Sequence, residues 1–501
     1  MEEYDFVIIG AGLSGIDAAY RLKTMLPGCT YTVLEARDRL GGTWGFFRYP
    51  GIRSDSSLTV FGLPWRPWVE DKDVAEGAEI LQYIESAARD EGIDGKIQLN
   101  HKVTAAHWRS DEQRWTLHVD HDARGGGGGN GVVGGVAKKQ YRAHWVISCA
   151  GYYAYDKALA ADIPGISNFK GTLVHPQFWP ADLDWADKKV VIVGSGATAV
   201  TLLPKIAKTA GHVTMLQRSP SYVLAIPSVD PLGVWLRRHL PAWLANPIVW
   251  WVAFFTEAVF IGTGLAFPNL VRRLLLHLMR GQLPNNVPVD VHFNPSYPPF
   301  EQRLCICPDG DFFKALHRDN CDIVTSRIQT VEADGIVTEA GDRLDADIII
   351  TATGLHVQLL GGVVPTVDGK PVDVGNSLAW RGMMISGAPN IGTIIGSTTT
   401  SWTPAADVSI KMLIRVYKHM KKVGATSVMP FHDKLDLALE RSKPVVGHSS
   451  TYFVQAEKRL PRVTGKSPWY ERTSTIYDNF VLWFGSVTSG MIYVVPEKKI
   501  Q

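Results

Sequence analysis

Apolar residues near the start of the chain form a short run, residues 5–9, that predicts a buried strand. Gly10, Gly12 and Gly15 follow this run at a fixed spacing. Residues 14–25 then show the apolar periodicity of a helix. In such a turn the first glycine permits a sharp bend, the second lets the backbone approach a pyrophosphate, and the third lets the helix pack on the strand. The pattern predicts a dinucleotide-binding unit with the phosphates at the helix N-terminus.

The next strand of this unit ends in an acidic residue. The apolar run 31–34 leads directly into Glu35, which lies 20 residues after Gly15. A carboxylate at this position accepts hydrogen bonds from a ribose 2′-OH and repels a 2′-phosphate. The first unit therefore favours FAD or NAD and disfavours NADP.

The same pattern returns in the middle of the chain. Residues 189–193 form a second apolar run, which leads into Gly194 and Gly196. Ala199 occupies the position of the third glycine, and the turn accepts this substitution. The pattern predicts a second dinucleotide-binding unit.

The two units differ in the charge that follows their next strand. Residues 212–216 of the second unit are followed by Gln217, Arg218 and Ser219 rather than by an acid. A guanidinium can hold a 2′-phosphate through forked hydrogen bonds, and a surface arginine without this role is the alternative. The second unit therefore favours NADPH. The candidate contacts of this second nucleotide are Gly194, Gly196, Ala197, Thr198, Arg218 and Ser219.

Composition and charge exclude several classes of protein. The 501 residues are 46% hydrophobic and 20% charged, values typical of a globular chain of roughly two to four domains. A net charge of +2 gives no electrostatic reason to expect a nucleic acid partner. The five cysteines lack a paired spacing, so we expect neither a disulfide framework nor a metal site. The first strand leaves no room for a signal peptide, which favours the cytoplasm.

The segments outside the two units divide into an α/β part and an irregular part. Apolar spacing predicts a helix at 73–90. The strands predicted after it are 103–108, 115–119 and 141–148. The glycine-rich stretch 125–136 separates the last two and predicts a mobile hairpin tip. From 220 to 299 the strand–helix alternation stops, and frequent Trp, Leu and Arg residues predict a helical insert.

One stretch of this insert is strongly apolar. Residues 247–268 contain a single charge, Glu257, and arginine pairs lie on both sides. About 20 apolar residues suffice to cross a bilayer, but a carboxylate at mid-membrane costs about 2.5–3.5 kcal/mol. Three interpretations are open: a buried helix, a monotopic membrane contact that admits lipophilic substrates, and a membrane span.

A more specific pattern lies just before the second unit. Residues 169–180 read FKGTLVHPQFWP, with the spacing F-x-G-x-x-x-H-x-x-x-W-P. The five positions of this motif are Phe169, Gly171, His175, Trp179 and Pro180. Residues 41–55 read GGTWGFFRYPGIRSD. Together with the two glycine turns, these motifs resemble the type I Baeyer–Villiger monooxygenases.

The resemblance covers nearly the whole chain and is greatest to the mycobacterial-type monooxygenases that activate thioamide prodrugs. Segments shared in order include WRPW, HPQ-x-WP, GSGATAVTL, HVTMLQRSPSY and TATGL. The resemblance implies an α/β fold with two Rossmann-like domains, one for FAD and one for NADPH, and a helical insert. The implied division is an FAD-binding domain of 1–155 and 356–501, an NADPH-binding domain of 156–219 and 300–355 with a linker at 163–180, and the insert 220–299.

The resemblance also implies a reaction. Members of the family use FAD, NADPH and O2 to insert one oxygen beside a ketone carbonyl through a flavin C4a-peroxide, which gives an ester or lactone. The implied substrate is a small lipophilic ketone, with sulfide oxidation as a second reaction. The alternative is a flavin N- or S-monooxygenase that acts on soft nucleophiles with little ketone oxidation. A disulfide reductase is disfavoured because no cysteine pair of its type is present, and a nucleotide-sensing or scaffold protein without turnover is disfavoured by the catalytic pair described next.

Two residues match the implied catalytic pair. The segment around Arg303 resembles the part of the family that carries its active-site arginine, and a fixed cation there would stabilise a developing oxyanion. Asp55 is the implied partner that orients Arg303, with capping of the following turn as its alternative role. Gln302 stands where many relatives place a lysine for the 2′-phosphate. The implied FAD contacts are Gly10, Gly12, Gly15, Glu35, Gly42, Thr43, Trp44, Asp55 and Val103.

Two further polar positions have simpler interpretations. His175 lies in the linker motif, where Trp179 and Pro180 impose an extended turn. We expect His175 to anchor a hinge between the domains, with a general-base role as the alternative. Asp309 and Asp311 are expected to cap the helix that begins at Phe312.

Overall fold

The structure is a computed structural model that describes residues 1–122, 136–302, 304–397, 400–447, 449–472 and 474–496. The predicted glycine-rich hairpin tip lies almost entirely outside the described residues, and so does Arg303. Both remain sequence-based predictions.

Strands and helices alternate through most of the described chain, as expected of an α/β protein. The strands are β1 (Glu2–Ile9), β2 (Tyr31–Leu34), β3 (Ile97–Gln98), β4 (His101–Arg109), β5 (Arg114–Asp122), β6 (Val136–Ser148), β7 (Thr172–Val174), β8 (Lys189–Val193), β9 (His212–Gln217), β10 (Val223–Ile226), β11 (Cys305–Pro308), β12 (Cys321–Thr325), β13 (Ile328–Glu332), β14 (Gly335–Thr338), β15 (Arg343–Asp345), β16 (Ile348–Thr351), β17 (Pro365–Val367), β18 (Lys370–Pro371), β19 (Ala379–Trp380), β20 (Met384–Ile385), β21 (Ile391–Thr393), β22 (Ser427–Pro430), β23 (Lys443–Pro444), β24 (Arg462–Val463) and β25 (Met491–Val494). The helices are α1 (Leu13–Met25), α2 (Thr43–Phe46), α3 (Leu58–Phe61), α4 (Gly77–Asp90), α5 (Ala197–Ile206), α6 (Pro231–His239), α7 (Ala242–Ala266), α8 (Pro268–Arg280), α9 (Val289–His292), α10 (Asp311–Leu316), α11 (Trp402–Lys422), α12 (Leu435–Glu440), α13 (Thr451–Ala456) and α14 (Thr475–Phe484).

The first sheet contains the first glycine turn. Its strands lie in the order β18-β17-β4-β5-β6-β1-β2-β3, with β21 also paired to β6. At its centre β1 is parallel to β2 and to β6, whereas β4, β5 and β6 form an antiparallel meander. The predicted helix and second strand of the first unit are confirmed as α1 and β2.

The second sheet contains the second glycine turn. Its five strands are all parallel and lie in the order β12-β9-β8-β16-β7. The edge strand β7 comes from the linker motif, so part of this linker belongs to the second sheet. Gly171 precedes this strand, where a Cβ would lie 2.4 Å from the Asp347 carbonyl oxygen, so only glycine fits. The two sheets confirm the predicted α/β class with two Rossmann-like units.

Helix α11 returns from the C-terminal part of the chain and packs against α1. A buried charged cluster joins the two helices: Arg21 Nε lies 2.6 Å from Asp407 Oδ1, and Lys411 Nζ lies 2.6 Å from Asp407 Oδ2. Asp17 completes the cluster and accepts a hydrogen bond from Trp65 Nε1 at 2.9 Å. Burial and the neighbouring Asp407 raise the pKa of Asp17. Two cations and two carboxylates therefore share this interface.

The helical insert contains α6, α7 and α8. Its central helix, α7, is too exposed for the interpretation of a buried helix. Helix α7 is continuous over 25 residues and, by length and composition alone, could cross a membrane. Only 22% of its most apolar 18-residue window is buried. The interpretation of a buried helix is therefore wrong, because only one face of α7 packs against the protein. The buried residues of this face are Ala245, Val249, Phe254, Ile261 and Gly264.

The single charge of α7 faces the protein. Glu257 Oε1 accepts a hydrogen bond from the Ser401 N–H at 2.7 Å, and Glu257 Oε2 accepts one from the Ser401 hydroxyl at 2.9 Å. Ser401 precedes α11, at an end where backbone N–H groups lack intrahelical partners. Glu257 thus joins the insert to the start of α11. Burial raises the pKa of Glu257.

We expect Glu257→Gln to gain stability relative to the wild type as the pH rises from 5 to 8. Because burial raises the pKa of Glu257 in the folded protein, its contribution to stability is lost as the pH rises through that pKa, and an amide cannot ionise. The amide oxygen still accepts the Ser401 N–H. Glu257→Ala removes both acceptors and should cost about 2 kcal/mol at pH 5. This cost should fall at pH 8, because alanine, like glutamine, cannot ionise. Thermal unfolding at the two pH values checks this, and a difference between the Gln variant and the wild type that does not change with pH would contradict it.

Candidate active site

A cavity of about 570 Å³ lies between the two glycine turns. Residues of the first sheet, the linker motif and the second unit all line it. The predicted site residues in its wall are Gly10, Gly12, Glu35, Gly42, Thr43, Trp44, Asp55, Val103, His175, Ala197 and Thr198. The predicted site residues of the described chain that do not line it are Gly15, Phe169, Gly171, Trp179, Pro180, Gly194, Gly196, Arg218 and Ser219.

The first glycine turn brings backbone against backbone. Gly10 has a φ of +101°, and a Cβ there would lie 2.7 Å from the Cys149 carbonyl oxygen. A Cβ at Gly15 would lie 1.9 Å from the Gly10 carbonyl oxygen, closer than atoms can approach. Gly15 therefore acts by letting α1 pack on the turn, which explains why it does not line the cavity.

The loop that contains Gly42 packs against this turn. A Cβ at Gly42, whose φ is +58°, would lie 2.9 Å from the Gly12 Cα. The Thr43 hydroxyl shares a hydrogen bond with the Tyr153 hydroxyl. Burial raises the pKa of Tyr153 and of Tyr155, so both phenols in the cavity wall stay protonated. The wall here is aromatic and polar, with hydroxyl groups that can donate hydrogen bonds.

Glu35 is buried in the cavity wall and held by neighbouring donors. Its Oε2 accepts a hydrogen bond from the Ala11 N–H at 2.8 Å. Its Oε1 accepts from the Arg37 N–H at 3.1 Å and from Arg37 Nε at 3.2 Å. The Arg37 guanidinium also stacks over the Tyr155 ring at 4.5 Å and lines the cavity. Arg37 was not among the predicted site residues, although its place two residues after Glu35 was a signal.

The second glycine turn repeats the first with one difference. Gly194 has a φ of +143°, and a Cβ there would lie 2.3 Å from the Ala352 carbonyl oxygen. Gly196 faces open space and precedes α5, whose first residues Ala197 and Thr198 line the cavity. Ala199 is fully buried, so this turn has room for the methyl group that the first turn excludes.

Arg218 lies outside the cavity wall, on the exposed surface after β9. Its Nη2 donates a hydrogen bond to the Thr451 hydroxyl at 3.1 Å. Gln302 Nε2 donates to the Ser449 hydroxyl at 3.2 Å. The two positions predicted to govern 2′-phosphate binding therefore both contact the short segment 449–451, which comes from the C-terminal part of the chain.

The structure describes only one member of the predicted catalytic pair. Asp55 is half-buried and lines the cavity, whereas Arg303 lies outside the described residues. Ile306, three residues further along the chain, also lines the cavity.

An ion pair between the loop 47–57 and α10 was not predicted. Arg53 lies in the cavity wall beside Asp55 and binds Asp311 through both terminal nitrogens, at 2.5 and 3.2 Å. The capping prediction is wrong for Asp309, whose carboxylate accepts from the Ser228 N–H, and Gly310 occupies the cap position of α10. Asp311 does accept from the Phe312 N–H, but it also fixes the second unit to the loop of Asp55.

The linker motif divides between the cavity and the second sheet. His175 lines the cavity, and its Nδ1 accepts a hydrogen bond from the Gln177 N–H at 3.2 Å. Burial lowers the pKa of His175, so the ring is neutral at neutral pH. Gln177 is buried and donates to the Ala154 carbonyl at 2.8 Å. Phe169 and Trp179 pack against the cores of the second unit.

Trp402 closes another side of the cavity. Its Nε1 donates to the Ser14 hydroxyl at 2.8 Å, and its ring stacks on Tyr152 at 5.5 Å. A Cβ at Gly396 would lie 2.3 Å from this ring. Ser401, which binds Glu257, directly precedes Trp402 in the chain. Glu257 therefore contacts the residue next to the cavity wall.

The first part of this wall fits a flavin dinucleotide. Gly12 lies at the N-terminus of α1, where free N–H groups favour phosphate. Glu35 offers a carboxylate at the position where the fingerprint places a ribose. Tyr153 and Trp44 supply apolar ring surface. The Gly12–Gly42 contact leaves no side chain between the turn and the cavity.

Comparison with known proteins agrees with this assignment. A family model described as flavin-binding monooxygenase-like matches residues 4–246. The chain is 40% identical over 500 residues to the FAD-containing monooxygenase EthA of Mycolicibacterium smegmatis, which covers 99% of this chain and 98% of that protein. This chain belongs to the flavin-binding monooxygenase-like family. It is also 41% identical over 495 residues to the putative FAD-containing monooxygenase MymA of Mycobacterium tuberculosis, which covers 95% of each chain.

Solved structures confirm the fold of this monooxygenase. A closed structure of cyclohexanone monooxygenase matches with a TM-score of 0.74 and 18% identity over 99% of this chain and 100% of that chain. Steroid monooxygenase bound to NADP matches with a TM-score of 0.73 and 20% identity over 99% and 100%. The mycobacterial relatives confirm the resemblance seen in the sequence, and these structures confirm two Rossmann-type domains.

We expect Gly15→Ala to prevent stable FAD binding. Its methyl group would lie 1.9 Å from the Gly10 carbonyl oxygen, so α1 must move away from the turn. The matched control is Ala199→Gly at the equivalent position of the second unit, which removes a methyl group and should retain flavin at a cost of about 1 kcal/mol in stability. Flavin absorbance per protein after gel filtration checks this, and full flavin content in Gly15→Ala would contradict it.

Proposed function

We propose that this chain is a Baeyer–Villiger monooxygenase that uses NADPH and O2 to insert one oxygen atom next to a ketone carbonyl, with an ester or lactone as the product. One observation carries the proposal: Glu35 of the first unit and Thr198 of the second line the same cavity. A flavin and a nicotinamide nucleotide have to meet in such an enzyme. Sharing a fold with cyclohexanone and steroid monooxygenases supports the proposal.

FAD and NADPH are the cofactors. The FAD-containing relatives and the structures with NADP bound confirm this part of the sequence prediction. FAD, when bound, supplies the electrons that activate O2, and we assign its binding to 1–155 and 356–501. NADPH is assigned to 156–219 and 300–355, with 220–299 as the insert. The residues assigned to FAD are Gly10, Gly12, Gly15, Glu35, Gly42, Thr43, Trp44, Asp55 and Val103, and those assigned to NADPH are Gly194, Gly196, Ala197, Thr198, Arg218 and Ser219.

Charge stabilisation is the task of the protein in this reaction. The guanidinium of Arg303 stays protonated at working pH and would stabilise negative charge on the carbonyl oxygen of the ketone. Asp55 lines the cavity and would orient Arg303. Arg53 would act as a positioning residue, because its ion pair with Asp311 fixes the loop that carries Asp55. The buried wall excludes water from the reacting groups.

The substrate is a small lipophilic ketone, with a sulfide as an additional substrate, and the enzyme works in the cytoplasm. The second candidate function is oxidation of soft nitrogen or sulfur nucleophiles with little ketone oxidation. It is supported by the relatives of about 40% identity, whose names specify only FAD-containing monooxygenases. The two functions differ in their need for Arg303, since only ketone insertion develops an oxyanion on the substrate.

We expect the purified, FAD-loaded enzyme with NADPH and air to convert a long-chain 2-ketone to an ester and an aryl methyl sulfide to a sulfoxide. Mass analysis of the products checks this. Sulfoxide alone would assign the enzyme to the second candidate function. Hydrogen peroxide alone, formed at a rate that neither probe changes, would contradict both.

Arg303→Ala provides the control for this experiment. It should abolish ester formation while FAD content and NADPH oxidation stay close to wild type. The Arg303→Lys variant keeps a cation and should retain part of the ester product. Ester formation by Arg303→Ala at the wild-type rate would overturn the role of Arg303.

We expect Arg218→Ala to raise the KM for NADPH about tenfold or more, since a lost charged contact to a phosphate is worth at least about 1.4 kcal/mol. The KM for NADH should not change, because NADH lacks the 2′-phosphate. The matched control is Arg327→Ala, which removes another exposed arginine next to the second sheet. Steady-state kinetics with both nucleotides check this, and equal changes for NADPH and NADH would contradict it.

A further inference from the structure

The insert carries a broad apolar surface that the described chain leaves exposed. This surface, here called the outer face, consists of the exposed side chains of α6, α7 and α8. Its largest members are tryptophan, phenylalanine and leucine. Trp243 is 75% exposed, Val259 is 65% exposed and Leu265 is 58% exposed. Trp251 and Phe255 stack on one another at 5.3 Å and are each 51% exposed. Exposed apolar patches of this kind mark interaction sites.

The exposed side of α7 carries no charged residue over its whole length. Its one acid, Glu257, turns inward to Ser401. The hydroxyl of Thr256 donates a hydrogen bond to the Val252 carbonyl at 2.8 Å. A helix of 25 residues is about 37 Å long, so this is a long stripe that offers water no charged group.

Basic residues border this stripe. Between 231 and 280 the chain has five arginines and a single acid, the inward-facing Glu257. Arg238 and Arg280 lie at the border of the stripe, each 3.4 Å from a carboxylate outside this range, Asp71 and Asp290 respectively. On α8, Leu270, Leu274 and Leu278 are exposed in one line, and Arg273 and Arg280 lie on the same exposed side of the helix. Apolar side chains bordered by arginine are typical of helices that lie in the plane of a membrane surface.

A second helix with exposed apolar side chains begins close to the middle of α7. On α14, Phe480, Trp483 and Phe484 are 59%, 73% and 75% exposed. The first residue of α14, Thr475, shares a hydrogen bond with Thr400 at 3.3 Å, next to the Ser401 that Glu257 binds. The start of α14 and the middle of α7 therefore meet at residues 400–401, although they are far apart in sequence.

We propose that the outer face docks this enzyme on a membrane surface that contains anionic lipids. The charge pattern favours lipid over a second copy of the chain. Two copies joined through this face would form no new ion pair from α6–α8, because these helices offer arginines but no outward-facing carboxylate. Anionic headgroups neutralise these arginines, while the tryptophans lie at the level where the headgroups meet the acyl chains.

The docking surface adjoins the cavity. Helix α7 packs on α3, whose last residue Phe61 lines the cavity. Trp402, one residue after the Glu257 contact, lines it from another side. A lipophilic substrate dissolved in the membrane would thus lie close to the site. This consequence rests on the proposed function, whereas the docking itself does not.

Flotation with lipid vesicles tests the proposal. Full-length, FAD-loaded protein is mixed with vesicles of phosphatidylcholine alone or with 30% phosphatidylglycerol, without substrate. We expect flotation with the anionic vesicles, at least tenfold weaker binding to neutral vesicles, and a loss of binding at high salt. Equal binding to both kinds of vesicle, or no binding to either, would overturn the proposal.

Two variants identify the surface. The variant Trp251→Glu/Phe255→Glu should lose at least tenfold in vesicle binding. The control variant Leu437→Glu changes an equally exposed apolar residue on α12 and should bind as the wild type does. FAD content and sulfoxide formation from a water-soluble sulfide should stay unchanged in both, which separates a failure of docking from a failure of the proposed function.

Light scattering of the same samples distinguishes a protein partner. One outcome would overturn the proposal: the wild type is an oligomer, Trp251→Glu/Phe255→Glu is a monomer, and neither floats with vesicles. The outer face would then be an interface between copies of the chain. Membrane docking is supported if the wild type and the variant have the same size in solution and only the wild type floats with anionic vesicles.

Discussion

Backbone packs directly on backbone at two glycine turns, and this close approach sets where α1 and α5 begin beside the cavity. At the first turn α1 lies so near the strand that a methyl group on Gly15 would overlap the Gly10 carbonyl oxygen. At the second, Gly194 lies against the Ala352 carbonyl. With no side chain between helix and strand, α1 and α5 both begin at the edge of their sheets where parallel strands end. The free N–H groups at the start of both helices are suited to bind nucleotide phosphates.

Charged side chains adapt these two similar turns to different tasks. Buried Glu35 is held by the Ala11 N–H and by Arg37, so the carboxylate stays in the cavity wall with its hydrogen bonds satisfied. The second turn has exposed Arg218 instead, held by Thr451 from the C-terminal part of the chain. The Arg53–Asp311 ion pair ties the loop of the first unit to a helix of the second. An ion pair, as well as packing, therefore joins the two units.

The insert connects this core to the outer surface. Glu257 removes the only charge of α7 from the exposed side and uses it to bind the start of α11. A carboxylate that is costly to bury is retained because Ser401 supplies two donors to it. The same arrangement leaves one face of the helix apolar and brings the other face to Trp402 and the cavity.

Local pattern was enough to predict part of this protein. The apolar runs, the glycine spacing and the contrast between Glu35 and Arg218 depend on neighbours in the sequence, so β1, α1, β2, β8 and the fold class could all be predicted. The motif that begins at Phe169 indicated the family, which the relatives confirm. Whether α7 is buried or exposed stayed open, because an apolar helix looks the same in sequence in both cases.

Contacts between distant residues were decided only by the tertiary structure. Arg53 with Asp311, Glu257 with Ser401 and Arg218 with Thr451 are separated by more than one hundred residues each, and no local spacing records such a pair. The sequence by itself determined the two turns and their charges, because these act over a few residues. Where the turns meet, and which side chains close the cavity between them, depends on packing of whole elements and could be read only from the folded chain.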